Sequence, residues 1–212
     1  MKRNLNRILL VSCVMCIALL PVLGQETRTK RPGPQPARGS NATVLVVAPT
    51  EVAKGETFTV ELQVELGTTK FEDGTATALG GYVLPIGFDP SIVKFISADG
   101  GETPAFNKAP TFTNADMANE KGVVIATAFT TAIHQPMTSL SVAKLTFVAE
   151  KTGAAVFTVD PQGSPQHAAL ASVLHNDASV AIPASYKNGA VTVSSRKTTS
   201  RPIVKGKSNP SR

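Results

Sequence analysis

The segment LGGYVLPIGFDPSIVKFISADG, residues 79–100, holds a buried strand, a tight turn and a second strand in one run. Tyr82, Leu84, Ile86 and Phe88 recur at every second position, the period at which side chains of a strand fall on one face. The intervening row, Gly81, Val83, Pro85 and Gly87, carries no charge. A row of that kind is either covered or adhesive. Asp89-Pro90 then ends the strand: proline fixes its own φ, and the aspartate accepts from backbone N–H groups of the turn it opens. Ile92, Val93, Phe95 and Ile96 follow, and Asp99-Gly100-Gly101 closes the run.

The same pattern continues on both sides. Thr43 to Ala48 is a short apolar run stopped by Pro49, and Phe58, Val60, Leu62, Val64 and Leu66 alternate with polar residues. Residues 67–77 form a polar loop with a Glu72-Asp73-Gly74 turn. Residues 102–120 are polar, with room for a short strand over 111–114. Residues 122–132 read as a strand with Val123, Ile125 and Phe129 on one side, and 141–151 alternates with Leu145 and Phe147 inward. Strands follow over 154–159 and 189–193, while 168–174 suits either a strand or a helical turn. About nine short strands set between Gly, Pro, Asn and Asp, with no sustained helical stripe, predict an all-β sandwich.

Three details carry a resemblance. Phe88-Asp89-Pro90 followed by Ser-Ile-Val-Lys-Phe-Ile-Ser and a glycine turn, the strand Lys144-Leu-Thr-Phe-Val, and the closing Gly189-Ala-Val-Thr-Val resemble the cohesin modules of bacterial extracellular scaffolds. The similarity runs from about Val44 to Val193. It implies a single jelly-roll sandwich and a non-catalytic module that docks another extracellular protein, dockerin-bearing in the best-known cases, within assemblies for polysaccharide breakdown. It also places the partner-binding face on the outward row, at Gly81, Val83 and Pro85, with Asp89 and Pro90 as the turn motif. Cellulosomal members present Asn and Asp there, so Gly81 and Val83 imply either a different partner or a face capped by the 67–77 loop.

The ends of the 212-residue chain have a different character. Residues 1–24 join a basic start (Lys2, Arg3, Arg7) to an apolar run from Ile8 to Leu20, with Val22 and Gly24 before Gln25, as in a secretory signal. The run is shorter than the roughly 20 residues that span a bilayer; an uncleaved anchor is the alternative. Both cysteines, Cys13 and Cys16, lie in this leader, so the exported chain forms no disulfide and holds no thiolate metal site. Residues 25–42 are a Pro- and Arg-rich linker and 194–212 a basic tail without an acid, both expected to be disordered. The leader, linker and tail together carry +12 of formal charge. The whole chain is +6, so residues 43–193 are −6. The basic character belongs to the ends, and no basic stripe with interleaved aromatics suggests nucleic acid.

Chemistry finds little footing. The only adjacent acidic pair, Glu72-Asp73, sits in a glycine turn rather than across a cleft, as glycoside hydrolysis requires. His134, His167 and His175 are isolated from one another and from any motif-bearing nucleophile. Asp160, Asn176 and Asp177 lack the spacing of a calcium loop. The Asn41-Ala-Thr sequon reads as incidental, and no cofactor is expected. Sugar binding calls for exposed flat aromatics, but there is no Trp and only two tyrosines, Tyr82 on the inward row and Tyr186. A carbohydrate-binding module, or a structural or adhesive surface domain, is therefore the second reading, behind a protein-docking module.

Overall fold

A computed structural model describes residues 41–130, 136–173 and 179–195, all within one compact unit, Pro32–Arg212. The leader, most of the linker, most of the basic tail, His134, and the segment with His175, Asn176 and Asp177 lie outside the described residues. Thirteen strands run in the order β1 (Ala42–Val47), β2 (Glu51–Ala53), β3 (Thr57–Glu65), β4 (Leu79–Gly87), β5 (Val93–Gly100), β6 (Thr111–Phe112), β7 (Val123–Phe129), β8 (Ser139–Ala149), β9 (Gly153–Val159), β10 (Ala169–Ser172), β11 (Ala181–Ile182), β12 (Ala184–Lys187) and β13 (Gly189–Ser194). Among the described residues a 3-10 turn, Pro104–Phe106, and one short helix, α1 (Ala115–Lys121), interrupt these thirteen strands.

The strands form the two sheets of a jelly-roll sandwich. One has the order β12-β1-β3-β8-β5; the other runs β11-β10-β4-β9-β13-β2, with β7 beside β4 and β6 beside β7. The alternation read from the sequence is what the packing uses. Tyr82, Leu84 and Ile86 of β4 and Phe58, Val60, Leu62 and Val64 of β3 are all buried between the sheets. Phe147 of β8 is fully buried at their centre. Its ring centroid lies 4.9 Å from that of Phe157, 5.2 Å from Phe88, 5.6 Å from Phe95 and 5.9 Å from Phe58.

Proline in the middle of a central strand is ordinarily excluded because it removes a ladder donor. Pro85 is accommodated by a change of neighbour. Along one edge β4 pairs with β10 over 79–83 and with β9 at 86–87. Pro85 falls at the seam between them, and its carbonyl accepts the Asp160 N–H at 2.9 Å. The missing donor therefore leaves no gap in a ladder.

The helix α1 was not expected from the sequence, and it has a structural task. Asn114 caps it by accepting the Asp116 N–H at 2.9 Å, and Gly122, at φ +67°, ends it. From the helix, Asn119 reaches the outer edge of β5: its Oδ1 accepts the Phe95 N–H at 2.8 Å and its Nδ2 donates to the Phe95 carbonyl at 3.0 Å. A side-chain amide thus stands in for a neighbouring strand and closes an edge that would otherwise be open to pairing. Asn119→Ala leaves both backbone groups without their partner. It is expected to lower stability by about 1–3 kcal/mol in a denaturant melt and to raise amide exchange at Phe95.

Candidate functional site

The two outer faces of the sandwich differ in charge. On the β12-β1-β3-β8-β5 sheet, Glu61 pairs across strands with Lys144, and Lys144 with Asp99. Lys144 Nζ also donates to Glu102 Oε1 at 3.0 Å, Gln63 Nε2 to Glu61 Oε2 at 3.0 Å, and Ser141 Oγ to Glu61 Oε1. This is a charged, solvated surface with an ion pair at Lys144–Glu102.

The outer face of the other sheet has no charge in its central rows. Reading across the strands, one row is Thr111, Thr127, Val83 and Ala169; the next is Phe129, Gly81, Ala171 and Ala181. Pro85 lies beside Ile125, and Gly87 lies between Val123 and Thr158. Most of these side chains are small and none is charged. Water gains little by solvating such a face, so covering it is favourable without desolvating any ion.

The three positions assigned to partner binding lie in these rows with unequal exposure. Val83 is half-buried, whereas Gly81 and Pro85 are buried. A Cβ added at Gly81 would lie 3.2 Å from the Phe129 Cβ, and one at Gly87 would lie 2.9 Å from the Pro161 Cβ. Neighbouring side chains thus crowd the glycine positions. The 67–77 loop closes on itself as a small hairpin, with Lys70 bridged to Ala76 and Thr69 bonded back to Leu66. The prominent member of the face is Phe129, 81 % exposed. In the sequence it falls on one side of its strand with Val123 and Ile125. That it stands opposite Gly81 depends on the β4–β7 register, which no local pattern specifies.

Each end of the face has a recess. Beside Phe129 an open cleft of about 510 Å³ is lined by Pro104 to Thr111 and by Thr127 to Thr130, with exposed Lys108 on its wall. At the Gly87 end an open hollow of about 520 Å³ is bounded by Phe88, Asp89, Pro90, Gly122, Val156, Thr158, Pro161 and Gln162. Asp89 and Pro90 make the turn there. Asp89 Oδ1 accepts the Ser91 N–H at 2.8 Å, and its carbonyl accepts from Ile92 and Val93. The bonds from Ser91, helped by the Lys151 charge, hold the Asp89 carboxyl below its usual range.

The remaining described candidates lie in turns. Asp73 Oδ1 accepts the Thr75 N–H in a turn completed by Gly74 at φ +85°. Asp160, at φ +52°, accepts from Ala168 N at 3.1 Å and lies 3.3 Å from the exposed His167. Among the described residues no three His, Cys, Asp or Glu side chains are grouped as metal ligands, and no helix is long and apolar enough to cross a membrane. Tyr82 is in the core, its hydroxyl donating to the Val142 carbonyl at 3.0 Å and its pKa raised by burial. Tyr186 is 39 % exposed on β12, its pKa raised by partial burial and then by the Asp160 charge.

The chain is a two-sheet jelly roll whose outer faces differ in charge. Its fold is that of the cohesin modules. CaCohA2 of Clostridium acetobutylicum, solved in complex with a variant of CaDoc0917, superposes with a TM-score of 0.53 at 20 % identity, over 73 % of this chain and 100 % of that one. The sixth cohesin of Acetivibrio cellulolyticus scaffoldin B, solved with a Cel5 dockerin, gives 0.52 at 13 % identity, over 73 % and 99 %. The cohesin module of a Clostridium perfringens family 33 glycoside hydrolase gives 0.52 at 10 % identity, over 73 % and 97 %. No family model matches the sequence, and no curated protein matches it.

Proposed function

We propose that this chain is an exported, non-catalytic docking module that holds another extracellular protein on the uncharged outer face around β4. The observation that carries this reading is the contrast between the faces: one sets Glu61, Lys144 and Asp99 in neighbouring register positions, while the other keeps its central rows free of charge and exposes Phe129. Exposed apolar surface of that kind marks interaction sites. The cohesin-fold neighbours solved with dockerins support a dockerin-bearing partner, in an assembly linked to polysaccharide use. The leader at 1–24 supports export. A glycan platform has less in its favour, with Tyr82 committed to the core and Tyr186 the only other tyrosine.

Val83→Asp tests the reading. It puts a carboxylate between Thr127 and Ala169, where a docked partner has to desolvate it. Capture of the partner from the producing organism's secreted and envelope proteins is expected to fall at least tenfold, with the domain still melting cooperatively. Capture unchanged by Val83→Asp would place the interface elsewhere. Turnover of a polysaccharide by the purified domain would end the non-catalytic reading.

A further inference from the structure

At Phe129 the uncharged face ends on a strand edge that is left open. Thr130 N donates to the Gly80 carbonyl at 2.7 Å, and Phe88 N to the Gly122 carbonyl at 2.8 Å. These bonds fix the alternation of the β4–β7 ladder, in which Phe129 opposite Gly81 is a pair that exchanges no hydrogen bonds. The Phe129 N–H and C=O therefore point away from β4. Further along β7 the groups of that same side are taken up: Thr127 pairs with Thr111 of β6, and the Ile125 carbonyl accepts from Thr113 N at 3.2 Å. β6 begins only at Thr111 and does not reach Phe129. Among the described residues nothing bonds to the Phe129 backbone on this side, and the cleft of about 510 Å³ opens beside it.

An unpaired donor and acceptor on one edge residue are what an added extended segment takes up. The charge of the cleft specifies the kind of segment. Of its lining residues only Lys108 is charged. That side chain is exposed, and the ion pairs among the described residues, Lys144–Glu102 and His167–Asp160, lie elsewhere. Residues 43–193 total −6, so an acidic segment, repelled by the domain as a whole, is drawn to this local cation. We propose that the cleft receives an extended, acidic segment of the docked protein, one residue of which exchanges backbone bonds with Phe129 while a carboxylate faces Lys108. The inference rests on the docking reading above and adds the chemistry of what docks. A volume of about 510 Å³ holds a few residues of chain, so the segment is an anchor at the border of the uncharged face and not the whole interface.

The probe is a short synthetic peptide of Thr and Val with one central Asp. It is titrated into the isotope-labelled chain from Gln25 onward, which keeps every described strand, and amide NMR is the readout. Capture of a whole partner reads the face through Val83 and uses no peptide, so the two readings fail separately. The Phe129 amide is expected to shift, and its exchange with solvent to slow at least tenfold at saturation, as a free N–H becomes bonded. Lys in place of the peptide's Asp should raise the dissociation constant several-fold, and Lys108→Glu, at an exposed position, should reverse that preference. A peptide methylated on every backbone nitrogen, which accepts but cannot donate, should bind at least fivefold more weakly. No change at Phe129, shifts confined to the basic tail, or a preference for Asp that survives Lys108→Glu overturns the proposal.

Discussion

Phe147→Ala is expected to destabilise the domain by about 3–5 kcal/mol, the range for removing a large aromatic from a packed core. The size follows from position. Phe147 joins the sheets: Phe58 and Phe95 flank it within its own sheet, while Phe157 of the opposite sheet and Phe88 beyond β4 pack onto it. Truncation leaves a cavity bordered by four rings that cannot all move inward. Set against a typical margin of about 5–15 kcal/mol, the loss should lower the melting temperature by about 10 °C or more. Urea titration and calorimetry read it directly. A loss below about 1 kcal/mol would mean that the ring cluster does not hold the sandwich together.

Gly101→Ala is expected to be comparably damaging for the opposite reason, too much volume. A Cβ there would lie 2.1 Å from the Ser141 carbonyl oxygen and 2.3 Å from its carbon, and backbone in β8 cannot turn aside as a side-chain tip does. The chain has to lift away. That strains the crossing in which Gly101 N donates to Phe106 O at 2.9 Å, Glu102 N to Ser141 Oγ at 3.0 Å and Thr103 N to Ser141 O at 3.2 Å. About 3 kcal/mol or more is expected from overpacking and lost bonds together. Gly74→Ala is the control: it has open space around it and only a φ of +85° to contend with, so about 1 kcal/mol is expected. Equal melts for the two variants would contradict this account of Gly101.

Much of the sandwich was legible because burial imposes a two-residue period, and β3, β4 and β8 show it plainly. What escaped lacks that imprint. The helix α1 has one buried residue, Ala118, so no apolar stripe marks it; only the Asn114 cap and Gly122 signal its ends. β12 has no buried residue and is held by parallel pairing to β1, with Ala42 beside Ala184. β2 is three residues at an edge. The 168–174 ambiguity resolves to strand β10 because the edge of β4 over 79–83 needs a partner. The uncharged row of β4 was visible as a pattern, but its rank as a surface was not. Phe129 approaches it only through a pairing that links residues far apart in the chain.

The pairing of the chain's ends bears on the order of events in biosynthesis. The opening strand β1 lies parallel to β12, and the closing strand β13 lies parallel to β2. Beginning and end are stitched to each other at two places. Until residue 187 has been synthesised β1 lacks a neighbour on one side, and until residue 194 β2 has nothing to pair with. Such distant pairings delay completion of a fold. A polypeptide threaded across a membrane from its N-terminus has to remain open in transit. In the exported chain proposed above, the last of the described strands to cross carries the pairing that completes the sandwich.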